Sequence, residues 1–433
     1  MKIAYFSPLN PQQSGISDFS EELLQKLKEH VEITVFVDDY VPSRISSEDG
    51  IAIRHIHEYD NESVRREFDT AVFHIGNNLT FHKNIMDAFL AYGGILELHD
   101  ISIHNMIAGD TLNNKRPEEY VRLMKYCHGE PGEKAARAFV ETLSSPPWEN
   151  DMLHFTMNRH LLDRADGIIV HSDMAKQMVK ATSPNKPVEC ILLHSEDILS
   201  DPERFKLECR RRLNIRKDKL VFGSFGYATH YKRILPTLEA LAIYKKSKRP
   251  FHYYMVGKVD GNDIEEKIKE LKLESDVTIT GFTELDDFKA YMGACDVCFN
   301  LRYPTQGETS ASLHRMLGMG KPVIVTDVGS FQEYPDDFVL KVRYDTNEIK
   351  DICLALLSMT DTPKEISRRG KMARDFAADN CGLVENAKKY AAFFEQVING
   401  AWQESWLDSI IDRLEELKMT EAEQVRELVS KFI

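Results

Sequence analysis

Residues 300–329 read NLRYPTQGETSASLHRMLGMGKPVIVTDVG, and this pattern decides the fold. A polar loop carrying Glu308 leads into a helix expected from about Thr309 to Gly318. The turn Gly320-Lys321-Pro322 ends that helix, and the apolar run Val323–Val325 follows as a buried strand. Gly307 and Glu308 ahead of Thr309 and Ser310 also suit a phosphate-bearing sugar. N–H groups and hydroxyls at a helix start can face a diphosphate, and a carboxylate beside them can accept hydrogen bonds from sugar hydroxyls. An ordinary βα loop with a Thr or Ser cap has the same outline.

Outward from this unit the chain repeats the same alternation. Strands are expected at Ile3–Phe6, Ile33–Val37, Thr70–His74, Ile95–His99, Gly167–His171 and Pro187–Leu193. After the polar segment Ser195–Arg216 they resume at Leu220–Phe225, Phe251–Val256, Val277–Thr280, Asp296–Asn300 and Val323–Thr326. Helices lie between them, among them Ser17–Lys28, the region Phe155–Arg164 and Ile234–Lys246. Strands alternating with helices imply βαβ units and parallel sheets. The expected architecture is α/β, with a Rossmann-like domain at 1–200, a second at 201–385, and C-terminal helices at 386–433. In that tail Trp402, Trp406, Ile410, Leu414 and Leu417 share a helical face, and Thr420–Glu423 forms a capping box. Such helices cover a domain, or meet a partner protein or a membrane surface.

A chain of 433 residues exceeds one ordinary core. Its 55 Lys+Arg against 69 Asp+Glu give a net charge of −14, which argues against general nucleic-acid binding. The start, Met1–Phe6, enters a strand at once and lacks the shape of a signal peptide. No apolar run approaches the roughly 20 residues of a membrane-spanning helix. Seven scattered cysteines fit a reducing compartment, and Cys295 and Cys298, spaced CxxC without a second pair, read as core residues. The expectation is a cytoplasmic protein, with the inner face of the membrane as the alternative.

The loops after the strands carry the chemistry. The first, Ser7–Asp18, lacks GxGxxG, which removes the main support for a nicotinamide dinucleotide; its Gly15 lets backbone approach a ligand. The loop Gly223–Arg233 holds Gly226 and ends on Lys232 and Arg233, two cations placed to neutralise a diphosphate leaving group. His99 and Asp100 end another strand within reach of a substrate hydroxyl, and Asn77 and Asn78 end a third that lines the same cleft. A metal set of His99, Asp100 and His104 has unsuitable intervals. GxSxG, the P-loop and HExxH are all absent.

Taken together, SGISD at Ser14–Asp18, LHD at Leu98–Asp100, GIIVHS at Gly167–Ser172, FGSFG…YKR at Phe222–Arg233, ITGF at Ile279–Phe282 and LRYPTQGETS…GKPVIVTDVGSFQE at Leu301–Glu333 resemble the retaining glycosyltransferases of family 4, in their GETS-type branch. The resemblance spans roughly residues 1–385. It implies a GT-B fold, two Rossmann-like domains facing a cleft, with a nucleotide-sugar donor held by the second and an acceptor by the first. By position, Lys232 matches the lysine on the donor diphosphate, and Glu308 the first glutamate of the EX7E signature, on the transferred sugar. His99 matches the histidine near the reacting centre, with Asp100 beside it, and Gly15 the glycine loop at the phosphates. Gly226, Arg233, Thr309 and Ser310 join the donor set; Asn77 and Asn78 join the acceptor side.

Three departures stand out. Tyr227 takes the place of the family's arginine, with Arg233 as a substitute. Arg315 falls at or beside the second glutamate, the usual ribose contact. Glu308 sits one place off the commonest spacing. The implied activity is transfer of a hexose, with retention and without metal or cofactor, from a nucleoside-diphosphate sugar to a saccharide or lipid-linked acceptor in polysaccharide or glycan assembly. GDP-mannose is the family-level donor; UDP- and dTDP-sugars stay open. The alternatives are a non-catalytic GT-B subunit that binds saccharide or a partner, and, with less support, an epimerase or phosphorylase.

Overall fold

The computed structural model describes residues 1–400 apart from residues 143, 150, 196, 197, 217 and 260. The first sheet is built from β1 (Lys2–Phe6), β2 (Glu32–Val37), β3 (Ala52–His55), β4 (Thr70–Ile75), β5 (Gly94–Leu98), β6 (Ala165–Val170) and β7 (Val188–Cys190). The second comprises β8 (Leu220–Phe225), β9 (Phe251–Val256), β10 (Val277–Ile279), β11 (Val297–Asn300), β12 (Val323–Thr326) and β13 (Val339–Val342). The orders are β3-β2-β1-β4-β5-β6-β7 and β10-β9-β8-β11-β12-β13, and all pairings are parallel. In each sheet the order reverses beside the first strand, where a doubly wound fold opens its ligand crevice. The architecture is therefore the pair of Rossmann-like domains of the GT-B fold.

Helices cover both faces of each sheet, so the strands read as apolar runs rather than alternating ones. Phe6 stacks against Phe36 and Phe73 in one core, and Phe222 meets Tyr244 and Phe251 in the other. Ionisable side chains break the apolar rule near the C-terminal ends of two strands of the first sheet: His74 in β4 and Glu97 in β5 are fully buried. Cys295 and Cys298 are buried free thiols, as core residues should be.

The helix Leu383–Ile398 follows the second domain in sequence but packs on the first. Ala387, Tyr390, Phe393 and Phe394 join the cluster containing Ile3, Val72 and Ile169. This much of the C-terminal segment is therefore engaged inside the molecule. The Trp402–Leu417 stripe and the Thr420 capping box lie outside the described residues.

The structure adds elements that periodicity does not reveal. The edge strands β3 and β13 are four residues each, and the long helical span Pro117–Val140 is bent at Gly129. The helix expected from Phe155 begins at Arg159. His99 and His171 sit one residue beyond their strands, in the loops that form the cleft. Among the described residues no helix is long and apolar enough to cross a membrane.

Candidate active site

A cleft of about 750 Å³ opens between the two sheets, lined by the loops that leave the C-terminal ends of β1, β4, β5, β8, β9, β10 and β11. Its first-domain wall starts at Gly15, the first residue of helix Gly15–Leu27, which Ser14 caps. A Cβ placed on Gly15 would meet nothing within 4 Å, so the room there is open to a ligand. On the opposite wall two glycines are needed by the protein itself. Gly226 has φ +84°, and a Cβ on it would lie 2.7 Å from Lys232 Nζ. Gly257 has φ +142°, and its Cβ would lie 2.4 Å from the Gly226 carbonyl oxygen.

Behind Gly226 a line of charge crosses from one domain to the other. Lys232 Nζ donates to the Phe225 carbonyl at 2.5 Å. Burial, with Arg302 beside it, pushes its ammonium well below the usual lysine range. Among the described residues no carboxylate forms an ion pair with Lys232. Arg302 Nε stands 3.6 Å from Glu308 Oε1. The other oxygen of Glu308 accepts from Thr305 Oγ1 at 2.9 Å and from the Gln306 N–H at 2.7 Å, so its own loop fixes the carboxylate. Asp100 follows across the cleft, accepting from the Asn77 N–H at 2.7 Å. Burial raises its carboxyl to about 7, opposed by that hydrogen bond and assisted by the charge of Glu308. Of these groups Asp100 reaches the cleft surface, whereas Lys232, Arg302 and Glu308 lie just behind its wall.

The raised Asp100 has a stability consequence. An acid whose pKa is higher folded than unfolded destabilises the fold as pH climbs from 3.8 to about 7, because over that range the unfolded form ionises while the folded form still holds its proton. Asp100→Asn should therefore raise the melting temperature more above pH 7 than near pH 4, as thermal melts across that range would show.

At the other end of the cleft Arg315 pairs with a carboxylate from the first domain. Its guanidinium lies 2.8 Å from Glu22 Oε1, and His194 Nε2 is 3.2 Å from Glu22 Oε2. Phe19 stacks on the His194 ring. Burial works to raise Glu22, but His194 and Arg315 prevail and bring it to about 2. Arg315 is thus a cation whose counterion comes from helix Gly15–Leu27. A depressed carboxylate contributes stability above its unfolded value of 4.5, and loses it as pH falls toward 2. Glu22→Gln should cost about 3–5 kcal/mol at neutral pH, and its deficit against wild type should shrink on acidification; denaturant unfolding at both ends of the range checks this.

The expected site residues divide by this geometry. Gly15, Gly226, Asp100, Asn77 and Asn78 line the cleft, while Lys232 and Glu308 stand behind the lining. Arg233 does not take the missing arginine's place. It is tied to Glu348 at 2.6 and 2.9 Å and lies over the Tyr344 ring. Thr309 and Ser310 spend their hydroxyls internally: Thr309 donates to the His171 carbonyl, and Ser310 caps helix Ala311–Gly318 while donating to Asn300. That helix meets the cleft instead through Ala311 and Ser312. The Asn77 side chain bridges Gln306 and the Met106 N–H, and Asn78 caps helix Leu79–Tyr92. His99 is 8% exposed and joins a buried histidine cluster under the cleft. His104 bonds Phe155 and Tyr120, so it is no companion to His99 and Asp100.

Arg302 and Glu22 escaped the motif reading. Arg302 lay inside the quoted stretch, six residues before Glu308, and its signal was available. Glu22 had none, because its partner is 293 residues away.

A family model described as "Glycosyl transferases group 1" matches residues 205–376, the second domain. No curated protein matches the chain by sequence. Solved structures resemble it over most of its length. Alr3699/HepE of Anabaena, in complex with UDP-glucose, has a TM-score of 0.63 at 13% identity, covering 92% of this chain and 100% of that one. A sucrose-phosphate synthase from Thermosynechococcus elongatus gives 0.65 at 14%, with the same coverage. WaaG, a glycosyltransferase involved in lipopolysaccharide biosynthesis, gives 0.57 at 13%, covering 90% and 99%. At these identities the likeness carries the fold.

Proposed function

We propose that this chain is a retaining glycosyltransferase, moving a hexose from a nucleoside-diphosphate sugar to a saccharide or lipid-linked acceptor in glycan or polysaccharide assembly. The observation that carries the reading is Lys232: a desolvated amine with no carboxylate partner among the described residues, behind a glycine wall where an anion can approach. A diphosphate supplies the missing charge. Arg302 replaces the expected Arg233 as the second cation, and the two stabilise the negative charge that grows as the diphosphate leaves. Because protein cations do this, the proposal needs no metal and no cofactor.

Glu308, held rigid by Thr305 and Gln306, orients the donor sugar. Asp100, whose carboxyl is raised to about 7 and is therefore only part-ionised near neutral pH, hydrogen-bonds a hydroxyl on the reacting side, with His99 beneath it. The acceptor enters over Asn77 and Asn78 and attacks from the face the diphosphate leaves, which retains configuration without the carboxylate pair of retaining glycosidases. HepE binds UDP-glucose, so UDP-glucose leads the donor series, followed by GDP-mannose and dTDP-sugars.

Calorimetry with UDP, GDP and dTDP against their monophosphates tests the site. The reading expects one diphosphate to bind at least tenfold more tightly than its monophosphate. Equal affinity for the two would remove the diphosphate from Lys232. The substitution at Arg315 favours, as the second reading, a subunit that binds saccharide without turnover; nucleotide binding without any sugar transfer or donor hydrolysis would establish it.

A further inference from the structure

Beneath the cleft Glu97 stands at the centre of a sealed cluster, an unusual occupant for the middle of a parallel sheet. Its side chain has no exposure, and neither has that of His74. Tyr390, from the returning helix Leu383–Ile398, donates to Glu97 Oε1 at 2.8 Å. His171 Nε2 lies 3.4 Å from the same oxygen and His74 Nε2 3.2 Å from Oε2. Burial opposes the charge of Glu97, but His74, His171 and Tyr390 outweigh it and keep the carboxyl below its ordinary value.

The ring nitrogens can then be assigned. Nδ1 of His82, His104 and His314 faces a backbone carbonyl at 3.0, 2.7 and 2.5 Å. Each must carry its proton there. His74 differs. Its Nε2 faces the Glu97 carboxylate, off the ideal hydrogen-bond line but close enough that a lone pair there would be repelled. The proton therefore sits on Nε2, which leaves His74 Nδ1 an acceptor. His99 Nε2, 3.1 Å from that Nδ1, has to be the donor, and the remaining lone pair of His99 is on Nδ1.

We propose that Glu97, acting through His74, is a positioning residue that fixes His99 as its Nε2–H tautomer, so that His99 accepts rather than donates a hydrogen bond toward a sugar hydroxyl. The catalytic part of this rests on the function proposed above; the tautomer does not.

Long-range proton–nitrogen correlation on the full chain with 15N-labelled histidine reads the tautomers directly, with His99→Gln assigning the key signals. His74 and His99 should show protonated Nε2 and bare Nδ1, opposite to His82, His104 and His314. A proton on His99 Nδ1 in the wild type overturns the inference. So does a zinc ion, one equivalent in the purified protein by elemental analysis and lost in Glu97→Gln, since His74, Glu97 and His99 offer ligand atoms within 4.8 Å of one another and a metallated nitrogen carries no proton. Glu97→Gln should mix the His99 tautomers and lower kcat at least tenfold, leaving nucleotide affinity unchanged. A parallel fall in affinity would reduce Glu97 to a structural role and overturn the positioning claim. Should the wild type turn over no donor, the proposed function fails, while the wild-type spectrum still decides the tautomer.

Discussion

Glu308→Gln is expected to lower kcat roughly a hundredfold, the scale on which a preorganised polar group at a reacting centre is usually worth, while the protein stays folded. The variant is chosen for its shape. The amide oxygen can still accept from Thr305 Oγ1 and the Gln306 N–H, so the loop keeps its conformation. Lost are the charge facing Arg302 and its influence on Asp100. Removing that charge should also let Asp100 titrate lower, moving the acidic limb of the pH–rate profile of any residual activity downward. Steady-state kinetics beside thermal melts separates the two effects, and unchanged turnover would take Glu308 out of the site.

Lys232→Met is expected to change sign between stability and binding. In the free protein Lys232 is a desolvated cation next to Arg302, with Phe225 O as its hydrogen-bond acceptor. An apolar side chain of similar length removes that burden, and the free protein should gain about 1 kcal/mol. The same change should weaken nucleoside-diphosphate binding by about 2–3 kcal/mol, or roughly thirty- to a hundred-and-fortyfold, with little effect on a nucleoside. A residue that merely held the loop would lose on both counts. Denaturant unfolding of the free variant, set beside diphosphate and nucleoside titrations, gives the two signs.

Local pattern made the two parallel sheets legible, because buried parallel strands are apolar throughout and their helices are amphipathic. Gly226, Lys232, Asp100 and Glu308 were legible for a related reason: each follows a strand of the sheet, where the fold opens its crevice. The chain hid what depends on distance. Arg233 looks as well placed as Lys232 until Glu348, 115 residues on, claims it. Glu22 is one acid among many on an amphipathic helix until Arg315 meets it. Tyr390 and Glu97 are likewise 293 residues apart, and only the return of the last described helix to the first sheet joins them. The hydroxyls of Thr309 and Ser310 fit the expected pattern yet serve the protein, because a helix cap and an interdomain contact use the same chemistry as a phosphate.

Turnover of a nucleoside-diphosphate hexose tests the account most directly. The full chain is incubated with UDP-glucose, GDP-mannose and a dTDP-hexose, and release of the free diphosphate is followed, with NMR reading the anomeric configuration of the product. The account predicts release from one donor, net retention at the anomeric carbon, and loss of that activity in Lys232→Met and Glu308→Gln. Turnover that both variants retain, an inverted product, or no turnover with any donor would contradict it.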